Sequence, residues 1–179
     1  MAGLPERLAE ARLAILGLGL MGGSLALALR GKCAALLGVD VEADTLALAC
    51  LRGMFDQAGQ NPAEILPQAD ILVYAAPVRT IIQQIGELPG LHPAPALVFD
   101  LGSTKLQVTQ AMERLPQGFA AVGGHPMCGK EQGGLVNASA ELFQGAPFAL
   151  VPTSHTTPLA RSLAEQIVQA VGARPLWLD

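Results

Sequence analysis

One histidine, His125, stands in the stretch AVGGHPMCGKEQGG at residues 121–134. An imidazole, with an ordinary pKa near ~6.5, can take up or release a proton at neutral pH. The glycines around it, Gly123, Gly124, Gly129, Gly133 and Gly134, supply no side chains for a core and leave the backbone room for a small molecule. The residues alone leave two readings open: a proton-handling histidine, or a loop histidine held by hydrogen bonds. The other two histidines, His92 in LPGLHPAP and His155 in PTSHTTP, fall in Pro-, Ser- and Thr-rich connectors and read as solvated loop residues.

A second constellation lies near the amino end. GLGLMGGS at 17–24 contains Gly17, Gly19 and Gly22 in the order G-x-G-x-x-G. The motif follows an apolar run and opens a helical pattern, which is the context a dinucleotide-binding loop requires. Gly17 permits the tight turn, Gly19 lets the backbone approach a pyrophosphate, and Gly22 lets helix and strand pack closely. No Lys or Arg stands in the loop, so phosphate charge must be met by backbone N–H groups of Gly19, Leu20, Met21 and Gly22 and by the positive end of the helix. Asp40 follows at the end of the next strand, about 20 residues on, where a carboxylate accepts hydrogen bonds from ribose hydroxyls. Glu42 and Asp44 lie close by and no Arg does, so a 2′-phosphate would meet like charge. This favours NAD over NADP. The competing account of Asp40 is a solvated turn residue. YAAPVRT at 74–80 ends another strand, and small Ala75, Ala76 and Pro77 would let a dinucleotide lie close. A plain strand-to-helix corner explains any one of them equally well. Arg79 reads as a surface residue.

The elements that must position these groups follow from short apolar runs alternating with helical patterns. RLAILG (12–17), LLGVD (36–40), DILVYAAP (70–77), ALVFDLG (96–102) and FAAVGGH (119–125) predict buried strands, each too short for a helix and ended by Gly, Pro, Asp or His. A weaker strand is expected near 55–58, and two more at 146–152 and 173–179. Helices are expected over 21–31, 42–52, 78–88, 104–115 and 157–171. Strand and helix in alternation imply an α/β, Rossmann-like domain over 1–179, a mostly parallel sheet with helices on both faces. The hydrophobic share is 51% before glycine is counted, high against the roughly 45–50% of soluble domains with glycine included, and suits such a sheet. It also suits an apolar face that meets a further domain.

A net charge of −4 gives no electrostatic basis for a nucleic-acid or membrane-surface partner. No apolar run reaches the ~18 residues of a membrane span, and the start reads as lacking a signal peptide, so the expectation is a cytoplasmic protein. Cys33, Cys50 and Cys128 are odd in number and lack metal-ligand spacing, so free thiols and no metal are expected.

Taken with GLGLMGGS, the stretches DLGSTK (100–105) and GHPMCGKEQGG (124–134) resemble the prephenate and arogenate dehydrogenase family of tyrosine biosynthesis, and the resemblance runs from Leu13 to Asp179. The chain departs from the family's usual H-P-M-A-G-S-E-x-S-G at three places: Cys128 for Ala, Lys130 for Ser and Gly133 for the second Ser. Cys128 is read as a small core residue in preference to an oxidisable thiol.

The resemblance implies an NAD-dependent oxidative decarboxylation of a small-molecule substrate, prephenate or arogenate. In that reaction His125 is the general base, and Ser103 hydrogen-bonds the substrate hydroxyl or orients His125 close to the nicotinamide. Ser103 is alternatively, or also, the N-cap of a helix starting near Thr104. Lys105 is either a solvated lysine or a local charge partner. The family also implies a helical domain after this one that makes a homodimer and holds the substrate carboxylates. Two other functions are kept: a hydroxyacid-type dehydrogenase sharing the glycine loop, and an NAD-binding regulatory module without turnover.

Overall fold

A computed structural model describes residues 3–178. The strands are β1 (Arg12–Leu16), β2 (Ala35–Val39), β3 (Gln57–Gly59), β4 (Ile71–Tyr74), β5 (Ala96–Asp100), β6 (Phe119–Pro126), β7 (Pro147–Pro152) and β8 (Arg174–Trp177). The helices are α1 (Leu20–Leu29), α2 (Ala43–Leu51), α3 (Pro62–Ile65), α4 (Val78–Glu87), α5 (Leu106–Met112) and α6 (Pro158–Ala170). Asp179, the last residue of the expected terminal strand, lies outside the described residues.

All eight strands form one sheet in the order β3-β2-β1-β4-β5-β6-β7-β8. From β3 to β6 every neighbour is parallel, β6 and β7 are antiparallel, and β7 and β8 are again parallel. The exception has a local cause. The other parallel neighbours are joined by crossovers that carry a helix, whereas β6 returns through 127–146, whose regular structure is one 3₁₀ turn, Leu135–Asn137. A chain that does not cross the sheet face comes back antiparallel.

The alternation of side chains along the strands divides the core in two. Leu13, Ile15, Ile71 and Val73 face one side, where they meet Leu25 and Leu29 of α1 and Leu163 and Ile167 of α6. Ala14, Leu16, Leu72 and Tyr74 face the other, against Ile81 and Ile85 of α4 and Val108 and Met112 of α5. Helices therefore cover both faces, and the strands of the centre read as unbroken apolar runs because neither face meets water. Thr157 caps α6, its hydroxyl accepting the N–H of Ala160 with Pro158 in the first turn.

Several expectations are corrected in detail. The strand read over 70–77 ends at Tyr74, because Ala75–Pro77 form the turn into α4. The short helix α3 was not foreseen; its signal is Asn61-Pro62, with the Asn61 side chain accepting the N–H of Ala63. His92 is not solvated. It is buried, its Nδ1 accepts the N–H of Ala94 at 3.0 Å, and its Nε2 lies 2.8 Å from the carbonyl of Ala69. His155 is half-buried, with Nδ1 3.2 Å from the carbonyl of Phe119. In both cases a buried carbonyl of a neighbouring segment needed a donor, and the histidine is that donor. Among the described residues no helix is long and apolar enough to cross a membrane.

Candidate active site at the carboxyl edge of the sheet

The carboxyl ends of the parallel strands β1, β2, β4, β5 and β6 lie along one edge of the sheet, so the loops that follow them share that edge. The glycine loop joins β1 to α1. Gly17 has φ +94, and a Cβ there would stand 2.9 Å from the carbonyl oxygen of Ala75. A Cβ on Gly22 would stand 1.9 Å from the carbonyl oxygen of Gly17, so α1 can start this close to β1 only with glycine there. Gly19 differs: a Cβ on it would meet no atom within 4 Å. Nothing inside the protein demands glycine at 19. The open space in front of it fits the close approach of an outside ligand to the backbone.

Gly19 starts α1 without a side-chain cap, and no acidic residue lies in the first turn. The first N–H groups of the helix therefore lack an intrahelical acceptor, and Gly19 places the positive end of the helix dipole beside the cleft. That arrangement suits an anion. Asp40 directly follows β2 and reaches back into the loop: one oxygen accepts the N–H of Leu18 at 2.6 Å and the other the N–H of Glu42 at 2.9 Å. Gly17, Gly19, Asp40, Ala75, Ala76 and Pro77 line one cleft of about 290 Å³, with Val39, Val41, Thr80 and Gln84 completing its wall. The last four were missed from the sequence. Thr80 and Gln84 carry a signal, since i and i+4 on α4 share a face, but their role depends on where α4 lies. Leu20, Met21 and Gly22 do not line this cleft. Met21 packs partly against the core, and Gly22 acts through the closeness of α1 to β1.

The second half of the site stands two strands further along. His125 is the penultimate residue of β6, half-buried, and is paired across β7 with Ala149. Its ring makes no hydrogen bond among the described residues. Burial lowers its pKa below the usual imidazole value, and the ammonium of Lys105 lowers it further, while the carboxylate of Asp100 works in the opposite direction. Ser103, in the turn after β5, is exposed and is not hydrogen-bonded to His125. It is not the N-cap of α5 either: that helix starts at Leu106 and its cap position is Lys105, without a side-chain cap bond. The chain turns once more before the helix, which leaves the Ser103 hydroxyl facing solvent.

Lys105 is a charge partner. Its ammonium contacts both the carboxylate of Asp100 and the carbonyl of Gly124, with its side chain mostly buried. Cys128 packs partly against the core and burial pushes its thiol pKa up, as a small core residue would behave.

Residues 25–176 match the family model described as "Prephenate dehydrogenase, nucleotide-binding domain". The chain is 30% identical over 164 residues to the prephenate dehydrogenase of Bacillus subtilis, covering 88% of this chain and 43% of that protein. The arogenate dehydrogenase structure from Synechocystis superposes with a TM-score of 0.86 at 30% identity, over 93% of this chain and 59% of that one. A prephenate dehydrogenase structure from A. aeolicus, in complex with hydroxyphenyl propionate and NAD+, gives a TM-score of 0.85 at 28% identity, over 94% of this chain and 59% of that one. The chain belongs to the prephenate dehydrogenase family and carries its nucleotide-binding domain. It spans roughly half the length of the curated relatives it matches.

Proposed function

We propose that this chain binds NAD in the cleft beside the glycine loop and forms the cofactor half of a dehydrogenase. That enzyme carries out the oxidative decarboxylation of prephenate or arogenate, a step of tyrosine biosynthesis. The observation that carries the proposal is the shared carboxyl edge: His125, the penultimate residue of β6, lies at the same edge of the sheet as Gly17, Gly19 and Asp40. The relative from A. aeolicus, crystallised with NAD+, supports the same choice of cofactor.

The first-turn N–H groups of α1, from Gly19 through Leu20, Met21 and Gly22, face the pyrophosphate. Asp40 faces the adenosine ribose, and Ala75, Ala76 and Pro77 give the dinucleotide a flat wall. The chemistry that NAD supplies when bound is acceptance of a hydride from the ring carbon bearing the 4-hydroxyl, with carbon dioxide leaving as the ring becomes aromatic. His125 takes the proton of that hydroxyl. Burial and the nearby ammonium keep its imidazole neutral at neutral pH, the form a base requires. Ser103, exposed in the turn after the neighbouring strand β5, hydrogen-bonds the hydroxyl directly. A further, helical domain of the whole protein clamps the substrate carboxylates and joins two copies into a dimer.

The test is NAD reduction by the full-length protein with prephenate and with arogenate, wild type against His125→Asn. Loss of a general base costs roughly 10²–10⁴ in turnover, while NAD affinity stays at the wild-type value. A His125→Asn enzyme with wild-type turnover removes His125 from the mechanism, and no turnover of either substrate by the wild type removes the proposed reaction.

A further inference from the structure

The register of β5 on β6 ends at the pair Phe99 and Val122. Beyond it, β6 runs four more residues to Pro126 with backbone partners on the β7 side. The polar groups that point back toward β5 need other partners. At Gly124 they find them in two side chains. The N–H donates to Oδ1 of Asp100 at 3.0 Å, and the carbonyl accepts from the ammonium of Lys105. Asp100 is fully buried; its Oδ2 also accepts the N–H of Gly102 at 2.8 Å and the ammonium of Lys105. Burial pushes the Asp100 carboxyl up and the Lys105 amine down, and each group's charge on the other works against that shift.

The glycines of β6 make the arrangement possible. A Cβ on Gly124 would stand 2.4 Å from the carbonyl oxygen of Asp100 and 2.8 Å from the Phe99 ring, and one on Gly123 would stand 3.1 Å from the methyl of Thr109. Two buried charges are costly to desolvate and gain little stability over an apolar pair. Their placement has another consequence: the residue held at both polar ends is the neighbour of His125.

On the reading of His125 as the base, we propose that Asp100 and Lys105 are positioning residues: their ion pair grips the Gly124 backbone at its N–H and its carbonyl and so aims the His125 imidazole into the crevice. The same pair sets the charge around the ring. Lys105 and Asp100 are the charged groups bearing on it, and the facing residues of β7, Phe148, Ala149 and Leu150, carry none.

The experiment uses the full-length protein with ¹³C-labelled histidine, the His125 signal being assigned by its loss in His125→Asn. The His125 titration midpoint is read by NMR in Lys105→Met, Lys105→Arg and Asp100→Asn. Removing the ammonium in Lys105→Met raises the midpoint, removing the carboxylate in Asp100→Asn lowers it, and Lys105→Arg restores the wild-type value. In turnover, Lys105→Met loses about 10²-fold in kcat, the scale of a misplaced catalytic group, with NAD affinity unchanged, and Lys105→Arg recovers most of it.

Opposed midpoints show that both charges bear on the ring, and the loss of kcat at unchanged NAD affinity, recovered in Lys105→Arg, is what a merely structural pair would not give. Midpoints that stay put or shift the same way, or wild-type kcat in Lys105→Met, overturn the proposal. If Lys105→Met does not fold, a lowered midpoint in Asp100→Asn beside a wild-type midpoint in Lys105→Arg supports the proposal, and any other pattern overturns it. The NMR arm is independent of the base assignment: wild-type turnover in His125→Asn refutes His125 as the base while the midpoints still report on the clamp.

Discussion

The carboxylate of Asp40 accepts the N–H of Leu18 at 2.6 Å, tying the end of β2 to the middle of the glycine loop. A negative charge is thereby fixed at the mouth of the cleft, with Glu42 and Asp44 just beyond. A ribose with free hydroxyls can donate to it, whereas a 2′-phosphate is repelled. NAD is expected to bind more tightly than NADP, and Asp40→Asn to narrow the gap. Calorimetric titration with both cofactors checks this, and equal or tighter NADP binding by the wild type refutes it.

Two loop glycines should respond differently to the same substitution. Gly22→Ala drives a Cβ to 1.9 Å from the Gly17 carbonyl, where only backbone can yield. Overpacking of this kind costs about 1–3 kcal/mol and should weaken NAD binding by moving α1. Gly19→Ala meets no protein atom within 4 Å, so its folding stability should stay near wild type while NAD affinity falls. Denaturation curves paired with cofactor titrations separate the two.

The pH dependence follows from His125. Its pKa is lowered by burial first and by Lys105 second. In the native state the ring thus binds a proton less readily than in the unfolded chain, whose value is near ~6.5. Between the depressed native pKa and ~6.5 the unfolded state holds more protons, so this group's contribution to stability falls as the pH is lowered through that window. The acid limb of kcat/KM should have its midpoint below ~6.5. A midpoint above that value contradicts the assignment.

His92 offers a stability prediction remote from the chemistry. Because Nδ1 accepts from Ala94, the proton sits on Nε2 and is donated to Ala69. His92→Ala leaves both backbone groups without partners in a buried site. A loss of about 1–3 kcal/mol is expected in urea unfolding, with no change in NAD affinity.

The 179-residue chain alone should bind NAD without appreciable oxidation of prephenate or arogenate. Orientation accounts for about 7–11 kcal/mol of barrier lowering in well-positioned reactions, and the proposed substrate clamp belongs to another domain. A rate matching that of the full-length enzyme would show that no second domain is needed.

Much of this was legible one segment at a time. Buried parallel strands are short apolar runs, turns announce themselves by Gly, Pro and Asp, and the glycine fingerprint lies within a few residues of a strand and a helix. These are local properties, and local steric and hydrogen-bond preferences decide them. His125 could be placed at a strand end for the same reason, although its role in proton transfer came from a family resemblance and not from its spacing.

Tertiary structure decided the rest. Residues 100 and 124 meet because β5 and β6 are neighbours in one register, so Asp100 and Lys105 hold the peptide beside His125. A shift of one residue would have turned those groups to the other face. His92 and His155 stand in stretches that look solvated, yet each faces a carbonyl of a distant segment that only folding brings near. Ser103 looked like a helix cap, but the turn before α5 carried it into solvent. The residues determined which elements form and which edge of the sheet carries the polar loops. Which side chains meet across that edge depended on strand order and register, because hydrogen bonds between segments distant in sequence exist only once the sheet has formed.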